Sequence, residues 1–120
     1  MATHQQDLAV LELWELLNRC MGKPELASRV LVRFQKQLDE DLNRIEMLLD
    51  KSEFESAREV THRLKGAAAN VAAHALRESA HSLETALQMG FEEQFELIFR
   101  GLKEERNRFE EAARLVNLAG

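Results

Sequence analysis

The sequence predicts an all-α protein, organised as an antiparallel four-helix bundle with a short additional helix at its N-terminus. Composition is the first reason, because Leu, Ala, Glu, Gln and Arg are abundant while the 120 residues include only five Gly and one Pro. The abundant residues lose little conformational freedom in a helix, and turn-forming residues are scarce. The second reason is that apolar residues recur at helical spacing in five segments. Because 45% of the residues are hydrophobic and no segment has linker composition, residues 1–120 are predicted to form a single domain.

The first two helices are predicted from their end signals and apolar stripes. Asp7 is a suitable N-cap for a short helix over about residues 8–20, and Gly22 is suitable to end it. Its apolar side chains lie on one side, which is predicted to face inward: Leu8, Leu11, Trp14, Leu17 and Met21. Pro24 suits the first turn of a long second helix that continues to about residue 49. The predicted buried stripe of that helix is Val30, Phe34, Leu38, Ile45 and Leu49.

The remaining three helices follow after short connections, which require neighbouring helices to pack antiparallel. Ser52 and Glu55 have the spacing of a capping box, so a third helix should start at residue 53 and run to about 71. A fourth, from about 74 to 88, ends near Gly90, which suits a left-handed C-cap. Its inward residues are Leu76, Ala80, Leu83 and Leu87. A fifth continues to about residue 118, with Glu92 and Glu93 at its positive N-terminus. Its inward residues are Phe95, Ile98, Leu102, Phe109, Ala113 and Val116.

The net charge, the single cysteine and the N-terminal segment limit which partners and which cellular location we expect. A formal net charge of -5 argues against nucleic acid, which needs a concentrated basic face. The single cysteine, Cys20, cannot form an internal disulfide and is expected to be a core residue. The polar N-terminal segment lacks the apolar core of a signal peptide, so a cytoplasmic location is expected. No apolar run approaches the roughly 20 residues that cross a bilayer, so no direct membrane contact is expected. The charged runs 39–41 and 103–106 are interpreted as solvated helix faces.

His62 is the candidate functional residue, because the helical pattern places its ring outside the core. At about 100° per residue, the third helix has one narrow apolar sector, and His62 projects roughly 140° from the middle of it. The sector contains Phe54, Ala57, Thr61, Leu64, Ala68 and Val71. The neighbours of His62 on the helix surface are Arg58, Lys65, Gly66 and Ala69.

This combination of an exposed ring, a cation and a glycine suits phosphoryl transfer. Glycine inside a helix costs about 0.5–1 kcal/mol relative to alanine, which suggests that a partner needs the space beside the imidazole. A neutral imidazole is a nucleophile, and Lys65 can meet phosphoryl oxygens as charge builds on them. The alternative for His62 is an ordinary solvated surface histidine.

The segment His62-Arg63-Leu64-Lys65-Gly66 resembles the motif of histidine-containing phosphotransfer (HPt) domains, in which a phosphorylatable His is followed by x-Leu-Lys-Gly. HPt domains are the carriers of multistep His-Asp phosphorelays, and their fold resembles the bundle predicted above over nearly the whole chain. The resemblance implies that His62 is phosphorylated, that Lys65 supports the phosphoryl charge, and that Gly66 gives access.

The chain departs from that family's pattern just after the motif. Family members often have Ser after the Gly and a second Gly further along, where this chain has Ala67-Ala68 and Ala72. Small side chains are kept, so packing and access should survive, while any contact made by a hydroxyl is absent.

Other residues are weighed as neighbours of His62. In the HPt family a Gln or Glu on the following helix often hydrogen-bonds the ring nitrogen that is not phosphorylated. Glu84 lies roughly 70° from the middle of the fourth-helix stripe and is expected to orient the ring; the alternative is a solvated boundary glutamate. Asn70 is a weaker candidate for lining the site, and His81 is expected near its border. The two other histidines are interpreted as boundary and tail residues, His74 and His4.

The resemblance also implies the partners. These are response-regulator receiver domains, a hybrid sensor histidine kinase, or both, with Mg²⁺ held by the receiver and no cofactor on the carrier itself. The five glycines are too dispersed to form a phosphate-binding loop, so an ATP-consuming kinase is excluded. We expect a monomer that binds receivers transiently through a patch drawn from the first three helices. A free-standing carrier and a domain of a hybrid kinase both remain open.

Two other classes of protein are alternatives to a phosphocarrier. A helical adaptor that exchanges no phosphate would use the same exposed face, and its function would survive His62→Gln. A metal or haem bundle fits less well, because di-metal bundles use Glu-x-x-His pairs that project inward at matched positions and none does so here.

Overall fold

The computed structural model describes residues 9–115, which form five α-helices and confirm the all-α, four-helix-bundle architecture with a short leading helix. The helices are α1 (Leu13–Arg19), α2 (Pro24–Asp50), α3 (Phe54–Asn70), α4 (His74–Met89) and α5 (Glu92–Leu115). Successive helices from α2 to α5 are joined by connections of two or three residues, so they alternate in direction. α3 packs most extensively against α4, and α4 against α5.

Two of the predicted helix ends are confirmed, and one is wrong. Pro24 opens α2, and Gly90 ends α4 with a left-handed φ of 76°. The capping box predicted from Ser52 and Glu55 does not form, because α3 begins without any side-chain cap. Ser52 instead has φ of 58° and ends α2: its N–H donates to the Leu49 carbonyl, and the next N–H donates to Leu48.

The same kind of turn ends α1 and α3. In each turn one non-glycine residue adopts a left-handed conformation just past the last helical residue, Met21 after α1 and Ala72 after α3. The N–H of the following residue then donates to the carbonyl five residues earlier, at 2.7 Å from Gly22 to Leu17 and at 2.9 Å from Ala73 to Ala68. Glycine at the left-handed position is the usual sequence signal for such a turn, and these turns lack it.

The first helix differs from its prediction in extent and in orientation. α1 has seven residues, and it buries Leu16 and Cys20, whereas Trp14 is 79% exposed and Met21 is 72% exposed. Of the predicted inward residues, Trp14 and Met21 therefore face outward, whereas Leu11 and Leu17 are partly buried against the core. The burial of Cys20 confirms its assignment to the core. Leu8 and Asp7, predicted to begin this helix, lie outside the described residues.

Tertiary contacts explain the orientation of α1. Its N-terminal end is bound to the turn between α3 and α4, where Glu12 N donates to Ala72 O at 2.9 Å and Ala75 N donates to Ala9 O at 2.9 Å. His74 Nε2 also lies 2.7 Å from Glu15 Oε1. These contacts set the face that α1 presents to the bundle, independently of the hydrophobicity of its other face.

The cores of the four long helices agree with the predicted stripes, with neighbouring positions added. In α3 and α4 the predicted positions are buried, except for the partly buried Phe54: Ala57, Thr61, Leu64, Ala68, Val71, Leu76, Ala80, Leu83 and Leu87. In α2, Leu31 and Leu48 are buried while Val30 and Leu49 are only partly so. In α5, Phe99 joins the predicted Phe95, Leu102 and Phe109, while Ile98 and Ala113 are partly buried. Val116 lies outside the described residues.

The run 39–41 is not the uniformly solvated face that was predicted, because Asp41 is buried among the α2 core positions. It stands three residues after Leu38 and four before Ile45, so it lies on the buried stripe. Its carboxylate accepts a hydrogen bond from Gln37 Nε2 at 3.0 Å. Burial raises the pKa of Asp41, while the Gln37 hydrogen bond and the charge of Arg63 oppose that rise.

Candidate functional site

His62 lies in the middle of α3, on the face opposite the core, as the helical count predicts. Thr61 and Leu64 on either side of it are buried, whereas the His62 side chain is 62% exposed. The ring therefore has one side against the protein and one side open to a partner.

Glu84 on α4 binds the inner nitrogen of that ring. His62 Nδ1 lies 2.7 Å from Glu84 Oε2, and the Glu84 residue is only 8% exposed. A carboxylate accepts hydrogen bonds and cannot donate them when ionised, so this contact places the ring proton on Nδ1 and leaves Nε2 with its lone pair free. The structure thus brings together the two residues that the sequence had paired.

Lys65 binds the same carboxylate. Its Nζ lies 2.8 Å from Glu84 Oε1, so the two groups form an ion pair. Burial alone would raise the pKa of Glu84, but Lys65 and His62 together outweigh it and lower that pKa below its usual value. Glu84 is therefore ionised at neutral pH. Lys65 lies on the Nδ1 side of the ring.

Gly66 lies next to this cluster with open space around it. A Cβ added at Gly66 would meet no heavy atom within 4 Å. The fold itself therefore does not require a glycine here, and its cost to the helix is not repaid by internal packing.

The weaker candidates do not join the cluster formed by His62, Glu84 and Lys65. Asn70 and His81 are exposed, and neither side chain hydrogen-bonds to His62 or Glu84 among the contacts of residues 9–115. His74 pairs with Glu15 of α1 instead. His4 lies outside the described residues.

An arginine close to the ring was given no role in the sequence analysis. Arg58, one turn before His62, lines a shallow open depression of about 350 Å³ together with Glu59, His62 and Arg63. Arg58 is held by Glu55, with Nη2 at 2.5 Å from Oε2 and Nε at 3.3 Å from Oε1. Glu55 had been assigned to the capping box, so the sequence signal for this pair was its spacing of three residues on a helix.

Metal binding and membrane crossing find no support in the part of the chain that the structure describes. No cluster of three or more His, Cys, Asp or Glu side chains suitable for a metal ion occurs within residues 9–115. Within the same range, no helix combines the length and the apolar composition that crossing a bilayer requires.

A helical bundle that holds an exposed imidazole by binding its inner nitrogen to a buried carboxylate has the features of a carrier that forms a covalent bond to histidine. A family model described as the Hpt domain matches residues 29–115, so the chain belongs to the Hpt domain family, the histidine phosphotransfer domains of phosphorelay signalling. Comparisons with curated proteins and with solved structures give no match. The matched range contains most of α2 and all of α3, α4 and α5, whereas α1 precedes it. Domains of this family carry phosphoryl groups and interact with receiver domains and histidine kinases.

The lowered pKa of Glu84 makes a prediction about stability. Because the folded state favours the ionised carboxylate, its contribution is complete above the ordinary pKa of a glutamate and is lost as pH falls through the lower, folded value. We expect Glu84→Gln to reduce the free energy of unfolding at pH 7 by about 1–2 kcal/mol. The difference from the wild type should shrink as pH falls below the ordinary pKa of a glutamate and through the lower, folded value. Urea denaturation at several pH values measures it.

A matched control is available on the same helix. Glu78 is half-buried and pairs with the adjacent Arg77, so Glu78→Gln should have little effect at any of these pH values. A Glu84→Gln difference that stays constant from pH 7 to pH 3 would show that the carboxylate charge does not stabilise the site.

Proposed function

We propose that His62 accepts a phosphoryl group from the aspartyl phosphate of a receiver domain and passes it to the aspartate of another. The observation that carries this proposal is the 2.7 Å contact between His62 Nδ1 and Glu84 on a ring that is 62% exposed. A ring held at its inner nitrogen has its nucleophilic nitrogen directed to where a partner binds.

The transfer step needs only groups that the two proteins supply. The lone pair of Nε2 forms a bond to phosphorus while the bond from phosphorus to the aspartate oxygen breaks, and that electron pair leaves on the receiver carboxylate. The ring becomes positively charged, and the Glu84 carboxylate beside Nδ1–H stabilises that charge. Transfer to a second receiver is the reverse of these changes.

Positioning and charge account for the catalysis. The carrier contributes Lys65, whose positive charge lies 2.8 Å from Glu84 and adds to the attraction of an anionic phosphoryl group toward the ring. The receiver contributes Mg²⁺, which neutralises the phosphoryl oxygens in transit. The carrier on this proposal needs no cofactor of its own.

Labelled phosphate tests the proposal directly. When the chain is incubated with phosphorylated receiver domains, label should move to it, resist alkali, be released by acid, and be absent from His62→Gln. His81→Gln serves as the matched control, because His81 is exposed on α4 and is not among the hydrogen-bond partners of His62 or Glu84 in the described residues, and it should accept label normally. Equal labelling of wild type and His62→Gln would favour the adaptor over the carrier.

Gly66 is proposed to provide clearance for the receiver. Because an added Cβ meets nothing in the fold, Gly66→Ala should stabilise the protein by about 0.5–1 kcal/mol and yet slow transfer from a receiver. Gly101 in α5 also has open space around its Cβ position, so Gly101→Ala is a control that should stabilise without slowing transfer. Thermal unfolding and transfer rates measured on both variants decide this, and a Gly66→Ala rate equal to the wild type would contradict the clearance role.

The outer face of α1 is proposed to belong to the receiver-binding patch. Trp14 is an exposed aromatic residue, a type that contributes strongly to transient interfaces. We expect Trp14→Ala to weaken receiver binding about tenfold, measured by titration, without loss of fold. Leu97 on α5 is 66% exposed, and Leu97→Ala should leave receiver binding unchanged. If the Trp14 and Leu97 variants bind the receiver with equal affinity, α1 does not belong to the receiver-binding patch.

A further inference from the structure

Arg58 brings a positive charge to the depression that the His62 ring lines. Side chains in a helix lean toward its N-terminus, so the ring of His62 extends over the turn that contains residues 58 and 59. That turn and the ring line the same depression, together with Arg63. Lys65 is bound to Glu84 on the other side of the ring, so it does not occupy this depression.

Arg58 is held in place by a residue that has no other function in the site. Glu55 binds it through both carboxylate oxygens, at 2.5 Å and 3.3 Å. The Glu55 side chain is 70% exposed and that of Arg58 is 30% exposed, so the guanidinium is positioned while its acidic partner remains in solvent. The pKa of Arg58 is raised chiefly by Glu55, and Glu59 and Glu84 contribute smaller effects in the same direction.

We propose that Arg58 binds the phosphoryl oxygens of phosphorylated His62, and that Glu55 holds the guanidinium until the phosphoryl group arrives. This inference rests on the proposed function of His62. A phosphoryl group on Nε2 brings up to two negative charges to the depression that Arg58 lines, whereas Glu55 carries one charge and is largely hydrated. The planar guanidinium suits bidentate binding of phosphoryl oxygens, which an ammonium group does not match. Arg58 therefore exchanges Glu55 for the phosphoryl group.

This exchange predicts opposite effects for the two residues. Removal of Arg58 takes away a cation that stabilises phosphohistidine. Neutralisation of Glu55 takes away the competitor for that cation, so the phosphorylated state gains. A purely structural ion pair would instead make both substitutions act in the same direction.

The test uses potassium phosphoramidate, which phosphorylates histidine without any partner protein. The ring nitrogen forms its bond to phosphorus while the P–N bond of the reagent breaks and ammonia leaves. After the reagent is removed, ³¹P NMR follows the half-life of phosphorylated His62. We expect Arg58→Ala to shorten that half-life about fivefold, Glu55→Gln to lengthen it about twofold, and Arg58→Lys to give an intermediate value.

α5 offers a control pair with the same spacing and chemistry. Arg108 binds Glu105 at 2.8 Å, three residues apart, so Arg108→Ala and Glu105→Gln should leave the half-life unchanged. The inference is overturned if Arg58→Ala matches Arg108→Ala, if Arg58→Ala and Glu55→Gln shift the half-life in the same direction, or if the loss occurs in Arg63→Ala instead. A wild-type chain that takes no label on His62 overturns the proposed function as well, whereas normal labelling with an unchanged Arg58→Ala half-life overturns only the role of Arg58.

Discussion

The site depends on one interaction, the hydrogen bond between His62 on α3 and the nearly buried carboxylate of Glu84 on α4. A carboxylate at a helix interface loses hydration, and this one is compensated twice, by the ring on Oε2 and by Lys65 on Oε1. The contact also requires α3 and α4 to pack closely. Their shared interface is the most extensive in the bundle, and both helices have small buried side chains, Ala57 and Ala68 in α3 and Ala80 and Ala86 in α4. Small buried side chains allow helices to pack closely, as the short contact between Glu84 and the ring requires.

The two sides of the imidazole have different surroundings in the protein. The Nδ1 side is occupied by Glu84 and Lys65, which keep the ring in one tautomer and one orientation. The other side faces the shallow depression lined by Arg58, Glu59 and Arg63. This asymmetry suits a carrier that must give its phosphoryl group away. A deeper or more complete pocket would bind the group more tightly and obstruct the receiver, so much of the catalytic charge is best supplied by the partner.

The ends of the helices show how the bundle closes without many glycines. Met21, Ser52 and Ala72 adopt left-handed conformations that cost more for residues with a Cβ than for glycine. Each is held by backbone hydrogen bonds that satisfy the last carbonyls of the preceding helix. The turn at Ala72 has a second use, because its carbonyl accepts the N–H of Glu12 and so anchors α1. The position of the only tryptophan of the chain thus depends on a turn sixty residues away in sequence.

The sequence by itself determined the helices, the core stripes of the four long helices and the outward direction of His62, because helical periodicity alone fixes the angle between a residue and the buried face. It also paired Glu84 with His62 through a family resemblance. Two features depended on tertiary structure, the inner face of α1 and the binding of Lys65 to Glu84, whereas the burial of Asp41 agrees with its helical spacing from Leu38 and Ile45. The seven residues of α1 have apolar side chains on two sides, and hydrogen bonds that join the preceding Ala9 and Glu12 to Ala75 and Ala72 help to fix which side is buried. The sequence likewise left the ion-pair partners of Lys65 and Arg58 undecided, because a long charged side chain can reach several neighbours. The carboxylate that each side chain binds depends on which one the packing of the helices brings within range.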